Sequence, residues 1–155
     1  MVTDLDTAVR AVDDPELPHV TIGELGMVRS VELDGAAARV WLTPTYTGCP
    51  ATEQIQADVE AAVVAAGYEP DVQFVWSPPW TTDDITPEGR MKLHAAGIAP
   101  PAPAVDGPVA LDLPTECPIC GSRRTRLTAA FGATACKSLH QCDACRQPFE
   151  SFKAI

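Results

Sequence analysis

Two Cys-x-x-Cys hooks, "CPIC" (Cys117, Cys120) and "CDAC" (Cys142, Cys145), stand 21 residues apart near the end of the chain. They constrain its fold more than any other feature. A Cys-x-x-Cys turn aims two sulfurs at one ion, and two such turns complete the tetrahedral thiolate shell that zinc prefers. Gly121 follows the first hook and supplies the tight turn of such knuckles. The roughly forty residues from Thr115 to Ile155 hold few large apolar side chains and could not fold unaided. Zinc binding, worth roughly 10–16 kcal/mol in small modules, could order them. The expectation is a β-rich, four-cysteine zinc ribbon with Cys117, Cys120, Cys142 and Cys145 as ligands. A redox dithiol and a four-cysteine iron site are the rival readings. Cys136 reads as a small hydrophobe packed in the ribbon, with an alternative ligand or partner contact as its rival. His140 reads as a strand or surface residue, because four cysteines already fill the shell.

Charge divides the 155-residue chain in the same place. Residues 1–114 hold five Lys/Arg and eighteen Asp/Glu, giving −13; residues 115–155 hold six and three, giving +3. The total of −10 argues against general nucleic-acid binding. Four thiolates and one zinc ion would lower the ribbon's charge to about +1. The Arg123, Arg124 and Arg126 cluster then reads as a docking surface for an acidic protein or for the chain's own acidic part. No apolar run approaches the ~20 residues of a bilayer span. The acidic, amphipathic N-terminus is not a signal peptide. A cytoplasmic protein is expected, and in that compartment six cysteines point to metal rather than to disulfides.

The first hundred residues read as a small α+β domain. A short helix begins near Thr3, which can cap it. "DDPELP" breaks it, and "VTIGELG" makes one helical turn closed by Gly26. Asp34-Gly35 joins two strand-like runs as a hairpin. A helix follows Cys49 with Ile55, Val59 and Val63 on one side and ends at Gly67. Asp71–Trp76 is a third strand, "SPPWTTDDI" a proline-rich loop, and "PEGRMKLHAAG" a helix that Thr86 caps. A mixed sheet of about three strands packed with helices is expected over residues 1–97. Residues 98–114, rich in Pro and Ala, read as a linker, and the ribbon covers 115–155. Of the two tryptophans of "WSPPW", Trp76 is expected in the core and Trp80 on the surface.

Cys49, in "TPTYTGCPATE", sits where a strand hands over to that helix. Pro50 suits the first helical position, which makes Cys49 the N-cap. Its sulfur would then lie near free N–H groups that favour thiolate, with Glu53 opposing them. Three histidines, His19, His94 and His140, form no recognisable dyad with it, so cysteine hydrolysis is poorly supported. No nucleotide loop or acid–base pair points to an independent enzyme.

The segments "DPEL" (Asp14–Leu17), "IGELGMV" (Ile22–Val28) and "T-x-x-x-TGCP" (Thr43–Pro50) resemble the small domain of iron–sulfur assembly factors typified by SufT. "WSPPWTTDDITPEGRMKL" (Trp76–Leu93) and "CPICGS" look like the PaaD branch of that family. The resemblance covers nearly the whole chain. It implies delivery or insertion of an iron–sulfur cluster or iron, with Cys49 as the functional thiol and Asp14, Glu16, Thr43 and Thr47 beside it. It also implies iron-containing oxygenase or reductase subunits of the phenylacetyl-CoA epoxidase as protein partners. A non-catalytic docking subunit of that oxygenase is the alternative. One thiol cannot hold a whole cluster, so a homodimer or a shared site with the client is a further expectation.

Overall fold

Gly35 lies in the turn that follows Asp34, and the flanking runs pair as expected. Strand β1 (Val28–Asp34) lies antiparallel to β2 (Ala37–Leu42), with Asp34 opposite Ala37 and a bulge between Val28 and Ser30. In the computed structural model, residues 2–46, 48–102 and 115–153 are described. The chain forms two units, Met1–Trp80 with Asp84–Gly89, and Thr81–Asp83 with Arg90–Ile155.

In the first unit helix α1 (Val2–Arg10) precedes the hairpin and helix α2 (Ala51–Ala65) follows it. The chain then returns as β3 (Glu69–Phe74), parallel to β2, with Val40 opposite Val72. A parallel partner needs a crossover, and α2 is that crossover. The sheet is therefore mixed, in the order β1-β2-β3. β3 begins and ends two residues before the expected run. Ile55, Val59 and Val63 of α2 are buried, as are Leu5 and Val9 of α1 and Val40 and Leu42 of β2. Each buried Val or Leu contributes roughly 1.5–3 kcal/mol. Thr3 lies inside α1 rather than capping it, and its carbonyl accepts the Thr7 hydroxyl.

The segment after α1 is locked by a reciprocal cap. The Glu24 N–H donates to Thr21 Oγ1 and the Thr21 N–H to Glu24 Oε2, at 3.1 and 2.9 Å. Gly26 ends this turn at φ +70°, and a Cβ there would lie 2.2 Å from the Asp84 carbonyl oxygen. Only glycine fits both constraints.

The two tryptophans exchange the expected places. Trp80 is 4% exposed, and its indole N–H donates to the Leu25 carbonyl at 2.7 Å. Trp76 is 57% exposed. The strand ends at Phe74, so Trp76 falls in the loop, while the buried Leu25 carbonyl gives Trp80 the acceptor that a buried indole needs.

Helix α3 (Pro87–Ala95) opens with Thr86 Oγ1 accepting the Gly89 N–H at 3.1 Å. The second unit carries a four-stranded sheet in the order β4-β7-β6-β5. Its strands are β4 (Ile98–Ala99), β5 (Thr125–Ala129), β6 (Lys137–Cys142) and β7 (Pro148–Phe152). The first two residues of the expected linker thus form a strand, parallel to β7. Residues 103–114 of that segment lie outside the described residues. Among the described residues no helix is long and apolar enough to cross a membrane.

Candidate functional site

Cys49 and Glu16 are 33 positions apart in sequence, and the fold brings them together. The Cys49 sulfur lies 3.8 Å from Glu16 Oε2, with the thiol donating to the carboxylate. Both residues are half-buried. The Cys49 N–H donates to the Tyr46 carbonyl at 3.4 Å, and the Cys49 carbonyl accepts the Thr52 hydroxyl at 2.9 Å. The backbone on either side of the sulfur is thus tied down.

One detail departs from the sequence reading. Helix α2 begins at Ala51 and its capping residue is Pro50, at φ −65° and ψ −19°, with no side-chain cap bond. Cys49 lies one position further out. Proline already holds a helical φ and has no N–H to place, so it completes the entry turn itself.

Glu16 is delivered by a braced loop. Asp14 Oδ1 accepts the N–H groups of Glu16 and Leu17 at 2.8 and 3.0 Å. The Asp14 N–H donates to the Val20 carbonyl at 2.9 Å, and Leu17 and Val20 anchor the loop in the core. His19 adopts φ +61° to close it. Asp14 therefore shapes the loop that presents Glu16. Thr43 is 1% exposed, and its N–H donates to the Met27 carbonyl at 2.8 Å. Thr47 lies outside the described residues. A thiol and a carboxyl at this distance offer one soft and one hard anionic donor to a metal ion. No sequence signal distinguished Glu16 from Asp14 as the neighbour of the sulfur.

The second sulfur centre lies in the C-terminal unit. The sulfurs of Cys117, Cys120, Cys142 and Cys145 all lie within 4.8 Å of one another. Cys117 and Cys145 are 3.8 Å apart, and Cys120 and Cys142 are 3.6 Å apart. A tetrahedral ion about 2.3 Å from each sulfur would space the sulfurs about 3.8 Å apart. The donor set fits zinc in number, chemistry and size.

Two matching turns build this shell. The Gly121 N–H donates to the Cys117 carbonyl at 2.8 Å, and the Arg146 N–H to the Cys142 carbonyl at 2.9 Å. The Cys117 and Cys142 N–H groups donate to the Ser122 and Gln147 carbonyls in the same way. Gly121 and Arg146 occupy equivalent left-handed positions, φ +72° and +66°. The Cys142 thiol is drawn down to about 6, chiefly by the Cys145 and Ala144 N–H groups, which outweigh burial. Cys120 is pushed up to about 11: the Ser122 N–H lowers it, but desolvation and the three neighbouring sulfurs outweigh that.

Cys136 is buried and lies 3.0 Å from Thr134 Oγ1, outside the four-sulfur cluster. His140 sits on β6, shares a 2.9 Å hydrogen bond with Ser138 Oγ and stacks on Phe149. Burial holds its pKa below the ordinary imidazole value.

Comparison with known proteins matches a family to each part of the chain. Residues 3–73 match the family described as iron–sulfur cluster assembly protein, and residues 102–153 match the PaaD zinc beta ribbon domain. The chain is 45% identical over 147 residues to a protein of Escherichia coli (strain K12) whose provisional name makes it a subunit of 1,2-phenylacetyl-CoA epoxidase. That match covers 93% of this chain and 87% of the other. The Fe-S protein maturation auxiliary factor SufT of Staphylococcus aureus (strain USA300) is 36% identical, over 53% of this chain and 96% of its own. A crystal structure of a DUF59 domain from Bacillus anthracis superposes with a TM-score of 0.55 at 34% identity, covering 59% of this chain and 90% of that one. The chain belongs to the PaaD family, in which an iron–sulfur-assembly domain is joined to a zinc ribbon.

Proposed function

We propose that this chain is an accessory maturation factor rather than an independent enzyme. Its task is to deliver or insert an iron–sulfur cluster or iron into an oxygenase or reductase component of a phenylacetyl-CoA epoxidase, in aerobic phenylacetate degradation. The observation that carries this reading is the contact between the Cys49 sulfur and the Glu16 carboxylate, in a domain of the iron–sulfur assembly family. The names of the Escherichia coli and Staphylococcus aureus relatives support it. The two donors grip iron too weakly to keep it, and a client with more ligands can take it. Thr43 and Thr47 belong to the segment that leads into Cys49, and Asp14 holds Glu16 in place. In this reading residues 1–97 carry the cargo site, residues 98–114 lead from it with Ile98–Ala99 already on the ribbon sheet, and residues 115–155 hold a structural zinc through Cys117, Cys120, Cys142 and Cys145. The protein works in the cytoplasm, alone or as a homodimer.

The Escherichia coli relative is named as a subunit, which favours a second reading: a docking component with no metal traffic of its own. Metal analysis and absorption spectra of wild type and Cys49→Ser, purified without oxygen and reconstituted with iron and sulfide, separate the two. A carrier shows one zinc in both proteins and iron only in the wild type. Iron-free, superimposable spectra in both would reject the carrier and leave the docking component.

A further inference from the structure

The four sulfurs of the ribbon are chemically alike but unequally covered. Cys117 and Cys142 are 0% exposed, Cys145 is half-buried and Cys120 is exposed. The apolar cluster around Ala99 and Phe149 takes in Cys117 and Cys142, and Cys145 packs against it. Cys120 lies outside that cover. Its neighbour Ile119 is itself 57% open to water, and Gly121 on the other side has no side chain to shield it. One corner of the shell therefore faces solvent. Among the six cysteines, all of them described, Cys120 alone is exposed.

Exposure matters here because of what a metal does to its ligands. Thiolate, not thiol, is the form that reacts with peroxides. A bound metal keeps each ligand sulfur deprotonated, so only burial protects it from an oxidant. Three corners have that protection and Cys120 does not. A second sulfur stands ready to resolve its oxidised form: Cys142, on the other hook, is 3.6 Å away.

We propose that Cys120 is an oxidation site through which hydrogen peroxide strips the ribbon of its zinc. The Cys120 thiolate attacks one peroxide oxygen, the O–O bond breaks, and a sulfenic acid forms as hydroxide leaves. The Cys142 thiolate then attacks the Cys120 sulfur. An S–S bond forms, and the sulfenic oxygen leaves as a second hydroxide. Each sulfur gives up one electron, and the peroxide takes both. The ion is left with two thiolates of four and is released. The ribbon has few large core side chains of its own, so its strands lose order with the metal. A dithiol reductant and fresh zinc reverse the change. The inference rests on the zinc reading of the four-sulfur shell and not on cargo at Cys49.

Equimolar hydrogen peroxide added to the zinc-loaded full chain tests the idea. Zinc release is followed with a chromogenic chelator, and the cysteines are then alkylated and mapped by mass spectrometry. Zinc should leave in step with a Cys120–Cys142 disulfide and return after reduction. Cys49→Ser should release zinc at the wild-type rate, which separates the response from the cargo thiol. Cys120→His retains a shell of three cysteines and one histidine, which also suits zinc, and should release it about tenfold more slowly. If that variant does not fold, the disulfide mapping of the wild type decides alone. Zinc that stays bound while Cys49 or Cys136 is oxidised overturns the proposal. So does zinc release with Cys120 outside the disulfide. A chain that takes up no zinc before oxidation fails the zinc reading, and this inference with it.

Discussion

Glu150 illustrates how single side chains hold the ribbon where the sheet alone does not. Its carboxylate pairs with Lys137 Nζ at 2.9 Å and accepts the Ala133 N–H at 2.8 Å. The Lys137 side chain is only 5% exposed. Burial raises the Glu150 pKa, but the Ala133 N–H and the Lys137 charge outweigh it and hold the carboxyl below its ordinary range. A carboxyl depressed in the folded state adds stability that is present above its unfolded pKa and is lost as pH falls through the folded value. Glu150→Gln strands a buried ammonium and should cost roughly 1–3 kcal/mol at neutral pH. Urea unfolding at matched zinc load should show this gap unchanged from neutrality down to about pH 5.5, then narrowing below about pH 4.5. A gap that widens in acid would contradict the assignment. At Cys49 the residue scale is less legible from sequence. The thiol and the acidic motif are both readable, but the carboxylate that meets the sulfur depends on an Asp14 turn that rotates Glu16 inward.

At the scale of elements, pattern reading succeeds where periodicity is strong and fails where a loop takes part in the core. The hairpin and α2 follow from turn residues and apolar spacing, and the β-rich character of the ribbon follows from its cysteine hooks. The loop after β3 does not. Its two tryptophans stand four residues apart with prolines between, and no period applies. The Leu25 carbonyl, which accepts the Trp80 indole, decides which ring is buried. Trp80→Ala should therefore cost about 3–5 kcal/mol. Trp76→Ala should change stability by less than about 0.5 kcal/mol. Paired denaturant titrations of the two variants check both, and equal losses would refute the burial assignment. The entry to α2 carries a similar lesson. Pro50 moves the helix start by one residue, so the sulfur meets a side chain from a distant loop.

For the whole molecule, the two units rest on different physics. The first buries a continuous apolar core from α1, α2 and the β1-β2-β3 sheet. The second has few large core side chains, and its buried cluster joins Ala99 and Phe149 to two of the sulfur-bearing residues, Cys117 and Cys142. Zinc held by the four sulfurs would supply about 10–16 kcal/mol, most of the stability such a unit needs. A strong chelator should abolish hydrogen-exchange protection in β5, β6 and β7 while leaving β1, β2 and β3 protected. Unchanged protection of the ribbon strands without metal would reject the zinc dependence.

The chain's letters alone determined the four-sulfur shell, the acidic and basic halves, the hairpin and the long helix. Each of these depends on neighbours within a turn or on a fixed spacing, so local chemistry suffices. Only the tertiary structure decided that Glu16 faces Cys49, that Trp80 and not Trp76 is buried, and that Ile98–Ala99 join the ribbon sheet. Those outcomes depend on which distant backbone groups are left needing a partner, and that is settled only when the whole chain has packed.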